Sequence, residues 1–273
     1  MEVKEIEKSI IKKYKKTIFG RFLRATKEFN LVTDGDKIAV CISGGKDSFL
    51  LAKCMQELKL HSKYNFELEF IVMDPGYNKA NIDKIKENLK NLNIPAKIYQ
   101  SNIFSEIKNA HSMCYLCARK RRGFLYLKAQ ELGCNKIALG HHFDDAIETI
   151  LLNILYAGEY KAMMPKLKST NFANMQLIRP LYYVKENDII AWSKYNELSF
   201  IGCACTVTKK ELGKRKEIKQ LISDLKKTNE NIDINILKSS YNVNMDAVVA
   251  YKENNKNHHF LDDFEELLDG NIK

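Results

Sequence analysis

Proline is rare in this chain, with four residues among 273, and tryptophan occurs once. Because no proline-rich stretch marks a flexible linker and no internal repeat is visible, we expect one large domain, or one domain with an appendage. Long apolar runs are also missing, since no window approaches the roughly 18 residues that a membrane-spanning helix needs. The N-terminal stretch 1–16 is charged and helical in character, unlike a signal peptide. These absences predict no membrane association and a cytoplasmic location.

Acidic residues are outnumbered, because 34 Asp and Glu face 44 Lys and Arg and give a formal net charge of +10. This excess favours a polyanionic partner, although a basic composition is weak evidence by itself. The seven cysteines are an odd number in a chain too long to need a disulfide framework. Reduced thiols, a metal site or a cluster are therefore the expected uses of these side chains.

Short apolar runs alternate with longer amphipathic segments. The expected strands are 37–42, 68–74, 96–100 and 136–140, and the expected helices between them are 48–60, 79–93 and 115–133. This alternation predicts an α/β fold, a parallel sheet of the five-stranded type with helices on both faces, as in Rossmann-like domains. Sheets of this kind bind ligands at the carboxyl ends of their strands.

The remaining segments flank this sheet. We expect a helical N-terminal arm at 1–30, the α/β domain at 31–200, and C-terminal helices at 201–273 that pack on the same domain. Within these bounds, the pattern predicts a helix at 141–158, a strand at 177–184, a helix at 185–197, a cysteine-bearing loop at 199–208, a basic helix at 209–227 and an acidic tail.

The stretch "SGGKDS", Ser43 to Ser48, follows the first expected strand directly. Two glycines allow a tight turn with uncovered amide groups, and the next helix adds the positive end of its dipole. Lys46 contributes a full charge. A Walker loop of the kinase type is excluded, because that motif needs glycine at Val40 and Ser or Thr at Asp47. The alternative is a plain turn with a capped helix, but the ordered motif favours a phosphate site.

Cys114 and Cys117 form a C-x-x-C pair at the start of an expected helix, and Cys203 and Cys205 form a C-x-C pair later in the chain. The position after the third strand disfavours a thioredoxin-like redox pair, and C-x-C spacing suits a structural zinc poorly. Three thiolates can instead hold a [4Fe–4S] cluster with one open iron. Structural zinc is the alternative. The remaining cysteines are read as buried core thiols: Cys41, Cys54 and Cys134.

An acidic block follows the fourth strand, in "GHHFDDAIETI". Asp144 and Glu148 share one face of the expected helix near its N-terminus, and Asp145 lies beside them. Acidic residues there often only complement the helix dipole. Beside a phosphate loop, a metal or substrate role gains weight. His141 and His142 lack the context of a zinc deaminase and are read as structural or as lining a pocket.

These blocks resemble the PP-loop N-type ATP pyrophosphatases, and among them the tRNA 2-thiocytidine synthetase (TtcA) family. The resemblance runs through "FNLVTDGDKIAVCISGGKDS", "CYLCARKRRGFLY", "ELGCNKIALGHHFDDAIETILLNILYAGEYKAMMPKL" and "IRPLYYVKENDI". It covers most of the chain, and the ordered combination is more specific than any single motif. One difference is Cys203-Ala-Cys205, where the family commonly has a second C-x-x-C.

The resemblance implies the following site residues. ATP would be bound by Ser43, Gly44, Gly45, Lys46, Asp47, Ser48, Asp144 and Asp145, with Lys46, Asp47 and Asp145 catalytic and Mg²⁺ bridging the phosphates. The [4Fe–4S] ligands would be Cys114, Cys117 and either Cys203 or Cys205. The tRNA would be contacted by the basic residues near both cysteine pairs, Arg119, Lys120, Arg121, Arg122, Lys214, Arg215 and Lys216, although basic runs are most often solvated faces.

The implied reaction has two stages. The C2 oxygen of a cytidine in the anticodon loop, C32 in the family, attacks the α-phosphorus of ATP and releases pyrophosphate. A sulfide then attacks C2 and expels AMP. The resemblance further implies a cysteine desulfurase or another sulfide donor and a homodimer. The alternatives are a PP-loop enzyme for another tRNA base, such as lysidine synthetase, or a non-catalytic RNA-binding module with structural zinc.

Overall fold

The computed structural model describes residues 2–106, 113–202, 209–262 and 264, without the side chains of residues 105, 113–115 and 209–212. Within these residues a six-stranded sheet has the order β3-β2-β1-β4-β6-β5. Its strands are β1 (Lys37–Ile42), β2 (Glu67–Asp74), β3 (Ala96–Gln100), β4 (Lys136–Ala138), β5 (Lys166–Lys168) and β6 (Gln176–Ile178). The first four pair in parallel with their neighbours, β4 and β6 are parallel, and β5 is an antiparallel edge strand.

Helices surround the sheet. They are α1 (Val3–Lys8), α2 (Gly20–Glu28), α3 (Lys46–His61), α4 (Lys79–Asn91), α5 (Ile103–Glu106), α6 (Met113–Glu131), α7 (Phe143–Leu152), α8 (Glu186–Tyr195), α9 (Lys209–Lys226) and α10 (Ile232–Ser239). Strand β1 lies at the centre of the sheet and is almost fully buried, as expected for a parallel strand covered on both faces. Its carboxyl end therefore places the loop before α3 at the middle of the ligand-binding edge.

The N-terminal arm packs on the α/β core. Two π-helical segments, Ser9–Lys13 and Lys15–Phe19, connect α1 with α2. Ile10 and Phe22 are fully buried in the same cluster as the side chains of β1 and α3. Lys53 of α3 is also buried, and its ammonium lies 2.6 Å from Glu7, which compensates the charge. The arm is thus held by apolar packing and by ion pairs, among them Lys53 with Glu7 and Arg21 with Asp188.

Helices α9 and α10 cover α7. Ile218, Ile222 and Leu237 are buried in a cluster with Ala146 and Ile147 of α7. This packing presents the side of α9 to the acidic start of α7. Beyond α10, the strands β7 (Ala250–Glu253) and β8 (Lys256–His259) form an exposed antiparallel hairpin.

The structure confirms the four expected strands and the helices between them, and it corrects the strand expected at 177–184. That strand ends at Ile178, and residues 180–183 form turns in which Tyr182 N donates to Arg179 O at 3.1 Å. Pro180 explains the early end, because proline has no N–H to continue the ladder. Strand β5 and the β7–β8 hairpin were not predicted. Among the described residues, no helix is both long and apolar enough to span a membrane.

Candidate active site

The loop between β1 and α3 has a backbone that only glycine permits at one position. Gly44 has φ +93°, in the left-handed region, and a Cβ there would lie 2.5 Å from Ile201 Cδ1. Gly45 is the N-cap of α3, in extended conformation. The sequence "SGGKDS" therefore forms a tight turn at the N-terminus of α3. Backbone amides in such a turn and the positive end of the helix dipole together bind phosphate.

Two serines hold this loop in shape. The Ser48 hydroxyl accepts a hydrogen bond from Ser43 N at 3.1 Å and donates to Gly45 O at 2.8 Å. Ser48 is buried, so both bonds are shielded from water. The Ser43 hydroxyl donates to Ser48 Oγ at 3.3 Å, and Ser43 also lines both neighbouring cavities.

Gly140 lets the loop after β4 approach the start of α3. A Cβ at this position would lie 3.1 Å from the backbone of Asp47 and Ser48. This close contact brings the acidic start of α7 next to the phosphate loop. The sequence analysis did not single out Gly140; a glycine directly after a buried strand, in "ALGHH", is the signal that indicates such an approach.

Lys46 opens a chain of ion pairs that links the phosphate loop to α8 and α9. Its ammonium lies 3.0 Å from Glu186 Oε1, and the other oxygen of Glu186 lies 2.6 Å from Lys219. Lys219 is 3.8 Å from Glu148, whose second oxygen lies 2.9 Å from Arg215 Nε. Glu186 and Lys219 were not predicted as site residues.

The chain of contacts closes on itself through α7. Arg215 lies 3.5 Å from Asp145, and His142 Nε2 lies 3.5 Å from Asp145 and 3.8 Å from Asp47. Asp47 in turn is 3.2 Å from Lys46. We call this closed set the charge ring: Lys46, Glu186, Lys219, Glu148, Arg215, Asp145, His142 and Asp47. It joins three helices and the phosphate loop into one electrostatic unit.

Asp144 lies at the edge of the charge ring. Its Oδ2 accepts a hydrogen bond from Glu186 N at 2.7 Å and lies 3.7 Å from His142 Nδ1. The ring together with Asp144 contains three lysine or arginine side chains and five carboxylates. Counted without the histidine, these side chains have an excess of two negative charges, which suits a divalent cation.

The environment shifts the protonation of several site groups. Burial alone raises the pKa of Glu186, but the hydrogen bonds and charges of Lys219 and Lys46 outweigh it and lower this pKa to about 2. Burial raises the pKa of Glu148, against the opposing charge of Arg215. Burial also lowers the pKa of His141 to about 4, so this side chain is neutral near pH 7. The Lys46 and Glu186 pair is therefore fully ionised at neutral pH.

Asp47 has a buried carboxylate oxygen that could bind a metal ion. Its Oδ1 is buried and accepts no hydrogen bond within the described residues, although Lys46 and His142 lie near it. No three His, Cys, Asp or Glu side chains of the described segments form a metal site by themselves. Mg²⁺ usually takes one or two carboxylates, with substrate phosphates and waters as the other ligands, so the residues present fit such an ion.

Two cavities meet at the phosphate loop. The larger, of about 510 Å³, is bordered by Gly45, Lys46, Tyr77, Phe104 and Phe200 among others. The smaller, of about 340 Å³, is bordered by residues of β1, β2, α6 and the β4–α7 loop, including Met73, Leu139, Gly140, His141 and Asp145. Both are lined by Ser43, Asp47 and Arg121. The site thus has room for two ligands that share the loop.

The basic residues predicted to contact tRNA divide into two groups. Arg119 and Arg122 are exposed on α6, whereas Lys120 pairs with Glu106 and Arg121 reaches the Tyr77 hydroxyl at 3.5 Å. On α9, Lys216 is exposed and Lys214 lies over the Tyr156 ring at 4.8 Å. Arg215 is also part of the charge ring. Arg215 forms ion pairs with carboxylates of α7, as expected for a partly buried arginine beside two acids.

The described cysteines fall into two environments. Cys41, Cys54 and Cys134 are buried core thiols, as predicted, and burial raises the pKa of Cys41 to about 12. Cys117 lies on the first turns of α6, buried with Met73 and Ile103 next to Phe104 of the larger cavity. The side chain of Cys114, and all of Cys203 and Cys205, lie outside the described residues. Cys117 thus lies beside the larger cavity at the phosphate loop.

The fold and the phosphate loop define a PP-loop domain protein, and the family model described as PP-loop domain matches residues 15–220. A "tRNA-cytidine(32) 2-sulfurtransferase" from Geotalea uraniireducens (strain Rf4) is 39% identical over 230 residues, 83% of this chain and 91% of the relative. One of the same name from Coxiella burnetii (strain Dugway 5J108-111) is 35% identical over 250 residues, 89% and 93% of the two chains. The chain therefore belongs to the tRNA-cytidine(32) 2-sulfurtransferase (TtcA) family.

A solved structure supports the fold. The U34-tRNA thiolase NcsA from Methanococcus maripaludis, determined with its [4Fe-4S] cluster, superposes with a TM-score of 0.66 at 22% sequence identity. The match covers 81% of this chain and 76% of that chain.

Proposed function

We propose that this protein is an ATP-dependent tRNA-cytidine(32) 2-sulfurtransferase. The observation that carries the proposal is the convergence of three features at one sheet edge: the phosphate loop, the charge ring around Lys46, and the C-x-x-C helix beside the same cavities. Membership of the family supplies the substrate and the reaction. The product is 2-thiocytidine, with AMP and pyrophosphate released.

ATP binds with its phosphates at the amides of Gly44 and Gly45 and at the start of α3. Lys46 turns from Glu186 to the phosphates and offsets the charge that develops during attack at the α-phosphorus. Asp47 and Asp145 flank the same loop, with Asp144 at the edge of the ring. Asp47 binds the Mg²⁺ of the nucleotide, since its buried Oδ1 accepts no hydrogen bond in the described part of the chain.

The reaction keeps atoms and charges in balance. The cytosine C2 oxygen attacks the α-phosphorus, the bond to the bridging oxygen breaks, and pyrophosphate leaves with the electron pair. The base now carries AMP at C2 as a leaving group. A sulfide attacks C2 and the C2–oxygen bond breaks, so AMP departs with the oxygen that belonged to the base. Arg121, which lines both cavities, is placed to neutralise the departing phosphate.

The cysteines hold a [4Fe–4S] cluster in this proposal. The ligands are Cys114, Cys117 and one of Cys203 and Cys205. Cys117 fits this role, because its thiol is buried in a mostly apolar wall beside the larger cavity. When bound by three thiolates, such a cluster leaves one iron open to carry the sulfide that is transferred. The chain's own residues would hold ATP and the target base next to the bound sulfide.

The partners and the location follow from the same chemistry. A cysteine desulfurase or another sulfide donor resupplies sulfur, and a reducing cytoplasm keeps the cluster thiols reduced. The protein acts as a homodimer, a state supported by the exposed apolar side chains of the C-terminal hairpin region, Val249, Phe260 and Leu261. Light scattering of the full chain tests this part independently of activity.

The reaction is tested with anaerobically reconstituted protein, tRNA, ATP and sulfide. We expect one AMP and one pyrophosphate for each 2-thiocytidine detected by nucleoside mass spectrometry, and no product without ATP. Hydrolysis of ATP to ADP, or AMP formation without a thiolated nucleoside, would contradict the proposal.

A further inference from the structure

A third cavity lies directly beside the catalytic ones. It has a volume of about 400 Å³, within the size range of ordinary ligand sites, and runs between α6 and the turn that joins β5 to β6. Ala118 and Arg122 border both this cavity and the smaller of the two at the phosphate loop. We call it the side groove. At this shared end, a ligand held in the groove lies next to the smaller cavity at the phosphate loop.

The side groove has a charge that nothing in the described protein balances. Arg119, Arg122 and Lys168 line it, and no carboxylate does. None of the three has an ion-pair partner among the described residues, whereas most other cations near the site are paired. Three unpaired cations on facing walls form a site for a polyanion.

A buried arginine adds to the positive potential of the side groove. The charge of Arg179 acts on Arg122 and Tyr126 of the groove; its Nη1 donates to Met164 O, but its Nε is buried without a hydrogen-bond partner in the described segments. Burial first, and then the positive charge of Arg122, lower its pKa to about 10. Two guanidinium groups that repel each other are stabilised when an anion enters between or beside them.

The wall formed by the β5–β6 turn is rigid and offers neutral donors. The Phe172 ring stacks on Tyr126 of α6, with centroids 4.9 Å apart and planes 12° apart. Phe172 N donates to Ser169 Oγ at 3.1 Å, which fixes the turn. The side chains of Thr170 and Asn171 are exposed and line the groove. Hydroxyl and amide groups of this kind recognise sugar hydroxyls and phosphate oxygens.

We infer that the side groove binds the sugar–phosphate backbone of unpaired nucleotides next to the target cytidine, with Lys168 and Arg122 as phosphate ligands on its two walls. This inference rests on the proposed function, because it takes tRNA as the substrate. It adds the β5–β6 turn, which the sequence analysis did not identify, to the RNA-contacting surface. An unpaired strand fits, since the target base must leave its stack to reach a recessed site.

The test compares Lys168→Met with Lys63→Met, an exposed lysine between α3 and β2, a strand that β1, β4 and β6 separate from β5. The affinity for an anticodon stem-loop RNA is measured at several salt concentrations, together with the affinity for ATP. We expect Lys168→Met to raise the Kd for RNA about fivefold and to reduce the slope of log Kd against log salt by about 0.7, one single-strand phosphate contact. Lys63→Met leaves both unchanged, and neither variant alters the Kd for ATP.

Three results separate the inference from the proposed function. If Lys168→Met retains the wild-type Kd and salt slope, the side groove does not bind RNA, although wild-type thiolation still stands. If both lysine variants weaken binding equally, the attraction is a general effect of net charge and the inference is also wrong. If the stem without its loop binds as tightly as the stem-loop and loses as much with Lys168→Met, a duplex occupies the groove, and the assignment to unpaired nucleotides is overturned.

Discussion

The ammonium of Lys46 lies 3.0 Å from the carboxylate of Glu186, so the lysine of the phosphate loop is paired with a residue 140 positions later in the chain. Glu186 is the first residue of α8, and its second oxygen binds Lys219 of α9. Lys46 must leave this partner to reach a phosphate. Glu186 therefore competes with ATP for Lys46 and also anchors α9 to the site.

Glu186→Gln removes the competing charge, and we expect it to tighten ATP binding about two- to fivefold, the scale of one partly exposed ion pair. Isothermal titration with the full-length protein measures this Kd. Glu230→Gln is the matched control, because Glu230 is exposed between α9 and α10 and has no ion-pair partner in the described structure. Weaker ATP binding by Glu186→Gln would show that the carboxylate supports the nucleotide.

Gly44→Ala should destabilise the fold as well as the site. The left-handed backbone at φ +93° opposes any side chain, and the new Cβ would lie 2.5 Å from Ile201 and 2.9 Å from Ile85. We expect a loss of about 2 kcal/mol in the free energy of unfolding, measured by urea titration.

Gly123→Ala is the control for that change. Gly123 lies inside α6, and an added Cβ meets nothing within 4 Å. The free energy of unfolding should rise by roughly 0.5–1 kcal/mol, as for other glycines inside helices. Equal effects of the two substitutions would contradict the strained-loop geometry.

The pKa of Glu186 predicts a pH dependence of stability. A carboxyl group whose pKa falls from 4.5 to about 2 on folding stabilises the protein above pH 4.5 and loses that contribution as the pH falls toward 2. The free energy of unfolding of wild type should therefore exceed that of Glu186→Gln at pH 6, and the difference should shrink as the pH is lowered through this window. A difference that stays constant from pH 6 to pH 3 would refute the ion-pair account.

The proposed cysteine ligands predict how much iron and sulfide the protein contains. Wild-type protein purified without oxygen should contain about four iron and four sulfide per chain. Cys114→Ala and Cys117→Ala should lose the cluster, and so should only one of Cys203→Ala and Cys205→Ala. Cys54→Ala is the control, because Cys54 is fully buried in the core. Zinc alone, with no cluster after reconstitution, would support a structural metal instead.

The sequence predicted the elements that depend on local pattern. The central strand, the phosphate loop and the acidic start of α7 lie where the apolar runs and "SGGKDS" place them. Glu186 and Lys219 were missed because their roles depend on tertiary packing: "KEND" resembles an ordinary helix start, and Lys219 is one of many basic residues on α9. Arg215 shows the same limit, since its pairing with Glu148 depends on how α9 lies across α7.

Strand β5 was missed for a different reason. It has three residues and an exposed pattern, and it is stabilised by antiparallel pairing with β6 rather than by its own hydrophobicity. The RNA-contacting surface inferred above includes the turn after this strand. Short edge strands of this kind can be recognised only in the structure, because periodicity over three residues carries almost no signal.

The central claim is ATP-dependent thiolation of one cytidine. Its most direct test incubates the reconstituted protein, ATP and sulfide with a tRNA carrying C32 and with the same tRNA carrying U32, and maps the thiolated nucleotide by mass spectrometry of nuclease fragments. The account predicts 2-thiocytidine at position 32 of the first tRNA and no thiolation of the second. Thiolation at another position, or equal thiolation of both tRNAs, would contradict it.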